Sequence, residues 1–482
     1  MKHPRKINWI IVVIVILVII ALFFTRNKIS KPNTQVAGDT GTVNPVALPS
    51  PTELTFLAIK TLQPFVIPSL TPLPPDYPTH IAETQTAEPT MSPTATSTLA
   101  PPLCTFPLAQ TTNIDSKPEK YSFSEPQVVL TDELQPDIVD WLPDNKNVLI
   151  SRFKLIDLGM NGYRQTIELF DPETKEAKVY ATHRRVDEAP PVWNPVLNAI
   201  IYPDMNVPEG STITNFKFTR QVRISYGKPD DTQLLADNLP QYYLTEKPDG
   251  NQIVYLLDKE LFRLDAALKP LAPVSFNRKR WDFLHQTYKE IVDFEMAWRP
   301  GSAEIFLYNH AIDGLGYTYI LDVDTGRVCN LDFGGWALTA RWSPNGRYLA
   351  IIRALGPVPI QSAGVVVLDT TTGDFYPLDV SESEIKGKPF VQDIAWAPDN
   401  HHLIFTLETN YSSTTSTYDG LLYLGDFISG QVDHILPSFQ FEVNSGSTNL
   451  AWSPDGSKLL MNCPTSEGVK QVCLITVQTS GQ

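Results

Sequence analysis

The chain has 482 residues and a formal charge of −15, placed unevenly: residues 1–31 carry six basic and no acidic side chains, while a net −17 falls on residues 104–482. An acidic folded region repels phosphate backbones, so nucleic acid is excluded as an expected partner. Length leaves the domain count open, because one closed all-β ring can use about 400 residues.

In chain order, residues 1–6 form a short basic leader and residues 7–25 are uncharged, with an unbroken apolar run from Trp9 to Phe24. At ~1.5 Å per residue that stretch approaches the ~30 Å hydrocarbon core of a bilayer and predicts one transmembrane helix. Leu22-Phe23-Phe24-Thr25 offers no small-residue cleavage site, so the segment reads as an uncleaved anchor. Basic residues flank it on both sides. The short leader sets the expected orientation, N-terminus inside and the remaining chain outside the cytoplasm. Residues 26–103 follow as a tether. Between 32 and 103 there are 14 Pro and 14 Thr, and no period of 2 or 3.6 is sustained. Such a composition buries too little apolar surface to offset ordering entropy, which predicts disorder.

The rest of the chain, residues 104–482, is organised by an internal repeat. Its clearest copies are Ala451-Trp452-Ser453-Pro454-Asp455-Gly456, Arg341-Trp342-Ser343-Pro344-Asn345-Gly346 and Ala395-Trp396-Ala397-Pro398-Asp399-Asn400. Weaker copies contain Trp141, Trp193 and Trp298, and Glu246-Lys247-Pro248-Asp249-Gly250 lacks the Trp. Seven units of about 50 residues result. Each unit reads as four strands: an apolar run ending at the Trp, a Pro-Asp/Asn-Gly turn, a β-rich run, then a third strand whose turn resembles Leu368-Asp369-Thr370-Thr371-Thr372-Gly373, and a more polar fourth strand. Four antiparallel strands repeated seven times predict an all-β, seven-bladed β-propeller. The last unit reaches Gln482 without a fourth strand, whereas Gln127-Val128-Val129-Leu130 stands ahead of the first unit. A strand near 126–133 is therefore expected to close the ring from the N-terminal side.

These Trp-Ser-Pro-Asp-Gly units resemble the WD-like propeller repeats of the TolB family over about residues 126–482. The resemblance implies the fold. It implies little about function, because such repeats serve binding, gating and lyase proteins alike.

Candidate chemistry is sparse. Asp144, Asp249, Asp399 and Asp455 recur in one turn frame, which points to capping of backbone donors rather than catalysis. The frame residues Trp141, Trp193, Trp298, Trp342, Trp396 and Trp452 are expected to pack between blades. His401 and His402 point to opposite faces of a strand, so a shared metal is not expected. No hydrolase or nucleotide motif occurs, and neither a cofactor nor a catalytic residue is assigned. Cys463 and Cys473, placed symmetrically about Gly468, are expected to oppose each other in a hairpin within disulfide range. Cys104 and Cys329 are the remaining two.

Alternation of strand direction puts the repeat turns on one rim and six longer stretches, 153–163, 203–215, 276–292, 354–364, 408–419 and 437–448, on the other. Arg184, Arg185, Arg278, Arg280 and Trp281 stand out there as candidate binding residues for an acidic protein or polymer. The expected role is a membrane-anchored, extracytoplasmic and non-enzymatic binding module. Alternatives are a propeller enzyme on acidic polysaccharide, marked by a His and Arg cluster in the central channel, and an assembly component of the cell envelope.

Overall fold

A computed structural model describes residues 101–108, 119–132, 136–155, 163–184, 190–206, 218–239, 244–257, 260–277, 279–282, 287–290, 294–309, 317–355, 362–380, 390–412, 417–436, 441–443, 450–466 and 469–480. All of them fall in the unit Thr90–Gln482. The predicted transmembrane helix at 7–25 and the tether up to residue 100 lie outside the described residues. Among those described, no helix is long and apolar enough to cross a membrane.

The fold is an all-β propeller, but its blade count differs from the sequence expectation. Among the described residues, five separate blade sheets are present rather than seven. The first four are built from residues 137–184, 192–239, 244–275 and 295–330, each with four antiparallel strands. The closing blade holds Leu450–Trp452, Lys458–Ser466 and Val469–Ser480, together with two strands from ahead of the repeats. The repeat units at 336–378 and 390–435 do not form separate blades. A parallel bridge, Ala363↔Phe390, joins the third strand of one to the innermost strand of the next in a single nine-stranded sheet. Ala363 is small and 1% exposed, which lets the two backbones approach.

Two strands close the ring end to end. Gln127–Asp132 pairs with residues 470–474 of the last strand and Lys120–Phe123 with residues 477–480. An open sheet edge is thereby covered along most of its length.

The core lies between sheets. One apolar cluster joins the fourth blade to the fused sheet through Phe306, Ile320, Trp342 and Val366. Another joins the closing blade to the first through Leu460, Val472, Ile138 and Phe170. Burying each such side chain contributes about 1.5–3 kcal/mol. The frame tryptophans add a directional contact. Trp141 Nε1–H donates to Ala451 O and Trp342 Nε1–H to Ala297 O, each reaching the preceding sheet, and Trp396 Nε1–H donates to Arg341 O between the two units of the fused sheet, all at 2.9 Å. Trp298 and Trp452 instead donate to Ser302 O and Gly456 O of their own turns.

A second lock crosses from the fourth blade to the fused sheet. Arg299 is 1% exposed; its Nε donates to Gly346 O at 2.6 Å and its Nη2 to Thr370 Oγ1 at 2.9 Å, while Nη1 pairs with Glu304. A buried cation needs this full set of partners to offset its desolvation.

Candidate interaction site

The turn aspartates serve the backbone. Asp144 Oδ1 accepts the N–H groups of Lys146 and Asn147, Asp249 Oδ1 that of Asn251, Asp399 Oδ1 those of His401 and His402, and Asp455 Oδ1 that of Ser457. Burial acts to raise the pKa of each, but hydrogen bonds outweigh it and hold all four carboxyls below their ordinary value, the His402 side chain first at Asp399 and the backbone N–H groups first at the other three. Asp171, Asp322 and Asp369 do the same in the second turns.

The rim that carries these turns is partly covered by the chain itself. Leu108 N–H donates to Thr370 O, and Phe106 packs where a Cβ on Gly373 would sit. Glu119 N–H donates to Asp399 Oδ2 at 3.1 Å, and the Tyr121 ring meets both His402 and Trp452 edge-on. Residues 106–108 and 119–121 therefore touch turns of the fused sheet, and Tyr121 also reaches the frame Trp452 of the closing blade. The second strands end and the third strands begin toward the opposite rim, and the connections between them lie outside the described residues.

Several stretches expected there as loops run on as strands. Val148–Leu155 pairs with Tyr163–Phe170, and His402–Ser412 with Thr417–Asp426, so the hairpins project further than the pattern of apolar residues indicated. The stretch 276–292 contains a two-stranded hairpin, Lys279–Asp282 against Thr287–Glu290, with Trp281 opposite Tyr288 and Arg280 opposite Lys289. Arg184 ends the outermost strand of the first blade, opposite Arg164. Arg185 and Arg278 lie outside the described residues. The structure thus places Arg280 and Trp281 in one hairpin and does not bring Arg184 into it.

A charged cluster in the centre of the ring escaped the sequence reading. Arg341 and Asp140 occupy the position just before the frame Trp on innermost strands, and both are exposed to solvent. Burial acts to lower the Arg341 pKa, but the charges of Asp393, Tyr308, Asp140 and Glu295 raise it. These residues come from the fused sheet, the fourth blade and the first blade, so the coupling links three sheets. Burial raises the Asp140 pKa, against the Trp141 N–H bond and Arg341. Tyr308 O–H donates to Glu295 Oε2 at 2.7 Å, and Asp393 Oδ2 accepts the Leu450 N–H at 3.1 Å. The available signal was a charged residue one place before the Trp, where other units carry Ala, Val or Thr.

Two further carboxyls are perturbed. Glu246 occupies the slot that the other units fill with Trp; burial pushes its pKa up to about 9, and its Oε2 is buried without a hydrogen-bond partner. Glu408 is raised to about 7 by burial, with Gln392 donating to it. Among the described residues no group of His, Cys, Asp and Glu is arranged to hold a metal. Both cysteine pairs are bonded, Cys463 to Cys473 and Cys104 to Cys329. The first pair is not directly opposed: Cys473 faces Met461, and Cys463 faces Gln471 across an irregular hairpin end. The bond is therefore diagonal, with Cα atoms 5.6 Å apart.

No protein-family model matches the sequence, and no characterised protein matches it by sequence. Solved structures similar to the chain are β-propellers. The Cps50 (Swd1) β-propeller domain of Myceliophteria thermophila is 12% identical, with 72% of this chain and 99% of that one covered and a TM-score of 0.46. The β-propeller domain of the trilobed protease of Pyrococcus furiosus is 10% identical, covering 75% and 98%, with a TM-score of 0.43. TolB from Acinetobacter baumannii is 13% identical, covering 69% of this chain and 79% of its own, with a TM-score of 0.34.

Proposed function

We propose that this propeller is a non-enzymatic binding module, held at a membrane through its apolar N-terminal segment and displayed outside the cytoplasm, which recognises an acidic protein surface on its long-loop rim. The observation that carries this is the contact of residues 106–108 and 119–121 with two turns on the short-turn rim, which favours the opposite rim for a partner. The pairing of all four cysteines supports an oxidising compartment. The repeat carboxylates are engaged by backbone donors and offer no general base. An enzyme on acidic polysaccharide is the weaker reading, because Arg341 shares the channel with Asp140, Glu295 and Asp393, whose field repels a polyanion.

The test replaces Arg278, Arg280 and Trp281 together with Ala and measures capture of partners from intact cells. Capture is expected to fall at least tenfold, the scale of about 1.4 kcal/mol, and to weaken with salt in the parent. The matched control changes Arg327 and Lys269 on the short-turn rim. Lys458 is unsuitable there, because its Nζ pairs with Glu173 and reaches Asn145 O in the first blade. Equal capture by the triple variant, with loss in the control, would place recognition on the other rim.

A further inference from the structure

Residues ahead of the repeats are fastened at two separate places. The upstream place is the outer edge of the fourth blade. There Cys104 is bonded to Cys329 in the outer strand Val328–Asn330, Cys104 N–H donates to Asn330 O at 2.9 Å, and Asn330 N–H donates to Pro102 O at 2.7 Å. Leu103 pairs with Asn330 as a parallel bridge. Cys104, Phe106 and Leu108 then pack on the apolar cluster between the fourth blade and the fused sheet. The downstream place is the closing blade, where Lys120–Phe123 and Gln127–Asp132 pair with the last strand.

Chain order makes the two unequal. A pull arriving from residues before 101 meets Cys104 first. Hydrogen bonds alone would pass the pull onward to residues 120–132, and the strands that close the ring would peel from Val469–Ser480. With the disulfide in place, the load crosses a covalent bond into the fourth blade, whose four strands come from one continuous stretch of chain. The bond encloses a sequence separation of 225 residues, so both closure strands lie inside a loop that tension cannot reach.

We propose that Cys104–Cys329 is a mechanical clamp, taking tension from the chain N-terminal to it into the fourth blade and keeping it off the strands that close the propeller. The inference rests on the tethered reading for its physiological use, while the load path itself follows from connectivity.

The experiment pulls single molecules of the full chain in detergent, with one handle at the N-terminus and the other on a clickable residue replacing Ile428, which is 54% exposed. Cys463 and Cys473 are both changed to Ser in every sample, so that only the clamp responds to reductant. Oxidised protein is expected to show no extension step before global unfolding. Cys104→Ser/Cys329→Ser is expected to show an early, low-force step as residues 105–132 are released, a stretch that spans at most about 100 Å when extended. Adding reductant to the folded parent should produce the same step, which keeps the test valid should the double variant fold poorly. An early step in the oxidised protein, or none after reduction, overturns the clamp. Failure of the tethered reading would appear in protease accessibility on cells and would leave these traces unchanged.

Discussion

Asn145 and Asn400 hold left-handed turn positions, with φ of 56° and 61°, that Gly250, Gly346 and Gly456 hold in other units. The amide side chains explain the exchange. Asn145 Oδ1 accepts the Asp455 N–H of the closing blade at 2.9 Å, and Asn400 Oδ1 accepts the Asn345 N–H across the fused sheet at 2.8 Å. Glycine would relieve the backbone there and lose a link between neighbouring units. Glu246 is the opposite case, a departure from the frame that costs stability. Its folded pKa, about 9, lies above the ordinary 4.5, so the native state retains a proton that the unfolded chain releases. Stability from this group is complete below about pH 4.5 and is lost progressively as pH rises toward 9. Glu246→Gln should match the parent in denaturant midpoint near pH 4.5 and exceed it near pH 8.5. The gain expected is roughly 1–3 kcal/mol, discounted from ~1.4 kcal/mol per pKa unit for partial solvent access. Parallel curves for the two proteins across that range would show that the carboxyl is not protonated in the native state.

Among elements, the innermost strands and their turns were the most legible in the sequence. Trp, Pro, Asp or Asn and Gly act over five residues, and each has a local reason: the indole packs between sheets, Asp caps donors and Gly takes a positive φ. Sheet number was not legible, since one bridge between Ala363 and Phe390 fuses two units. The cysteine register was missed by two residues because a ladder irregularity lies between Cys463 and Ser466. Residues 101–108 carry no strand pattern, so their attachment to the fourth blade was invisible. The N-terminal closure was readable, as an odd β-rich run meeting an incomplete unit, and it sets a test. Deleting residues 120–132 uncovers the ladder of Val469–Ser480 and removes Val129, 8% exposed, from its contact with the first blade. The loss is on the order of 5 kcal/mol, from one buried side chain and several ladder hydrogen bonds. Calorimetry should show a lowered, broadened transition with aggregation. A melt like that of the parent would mean that the closing blade is stable without these strands.

At the scale of the whole molecule, the candidate site was only partly legible, because it depends on which rim is free. The sequence offered cations at Arg278 and Arg280 on an acidic domain. It did not show that residues 106–108 and 119–121 meet turns of the fused sheet, the contact of Glu119 with Asp399 being made over 280 residues. Fold and display then make one joint prediction. If the apolar segment holds the chain at a membrane with the propeller outside, protease added to intact cells should cut between residues 32 and 100. It should spare the disulfide-fastened residues from Cys104 onward. The released fragment should run as one band under both reducing and non-reducing conditions, since no cut falls inside the 104–329 loop. Its melting transition should equal that of the full chain, because every described contact lies C-terminal to residue 100. Protection of the tether in intact cells, with cutting only after lysis, would put the propeller on the cytoplasmic side and remove the surface-display role.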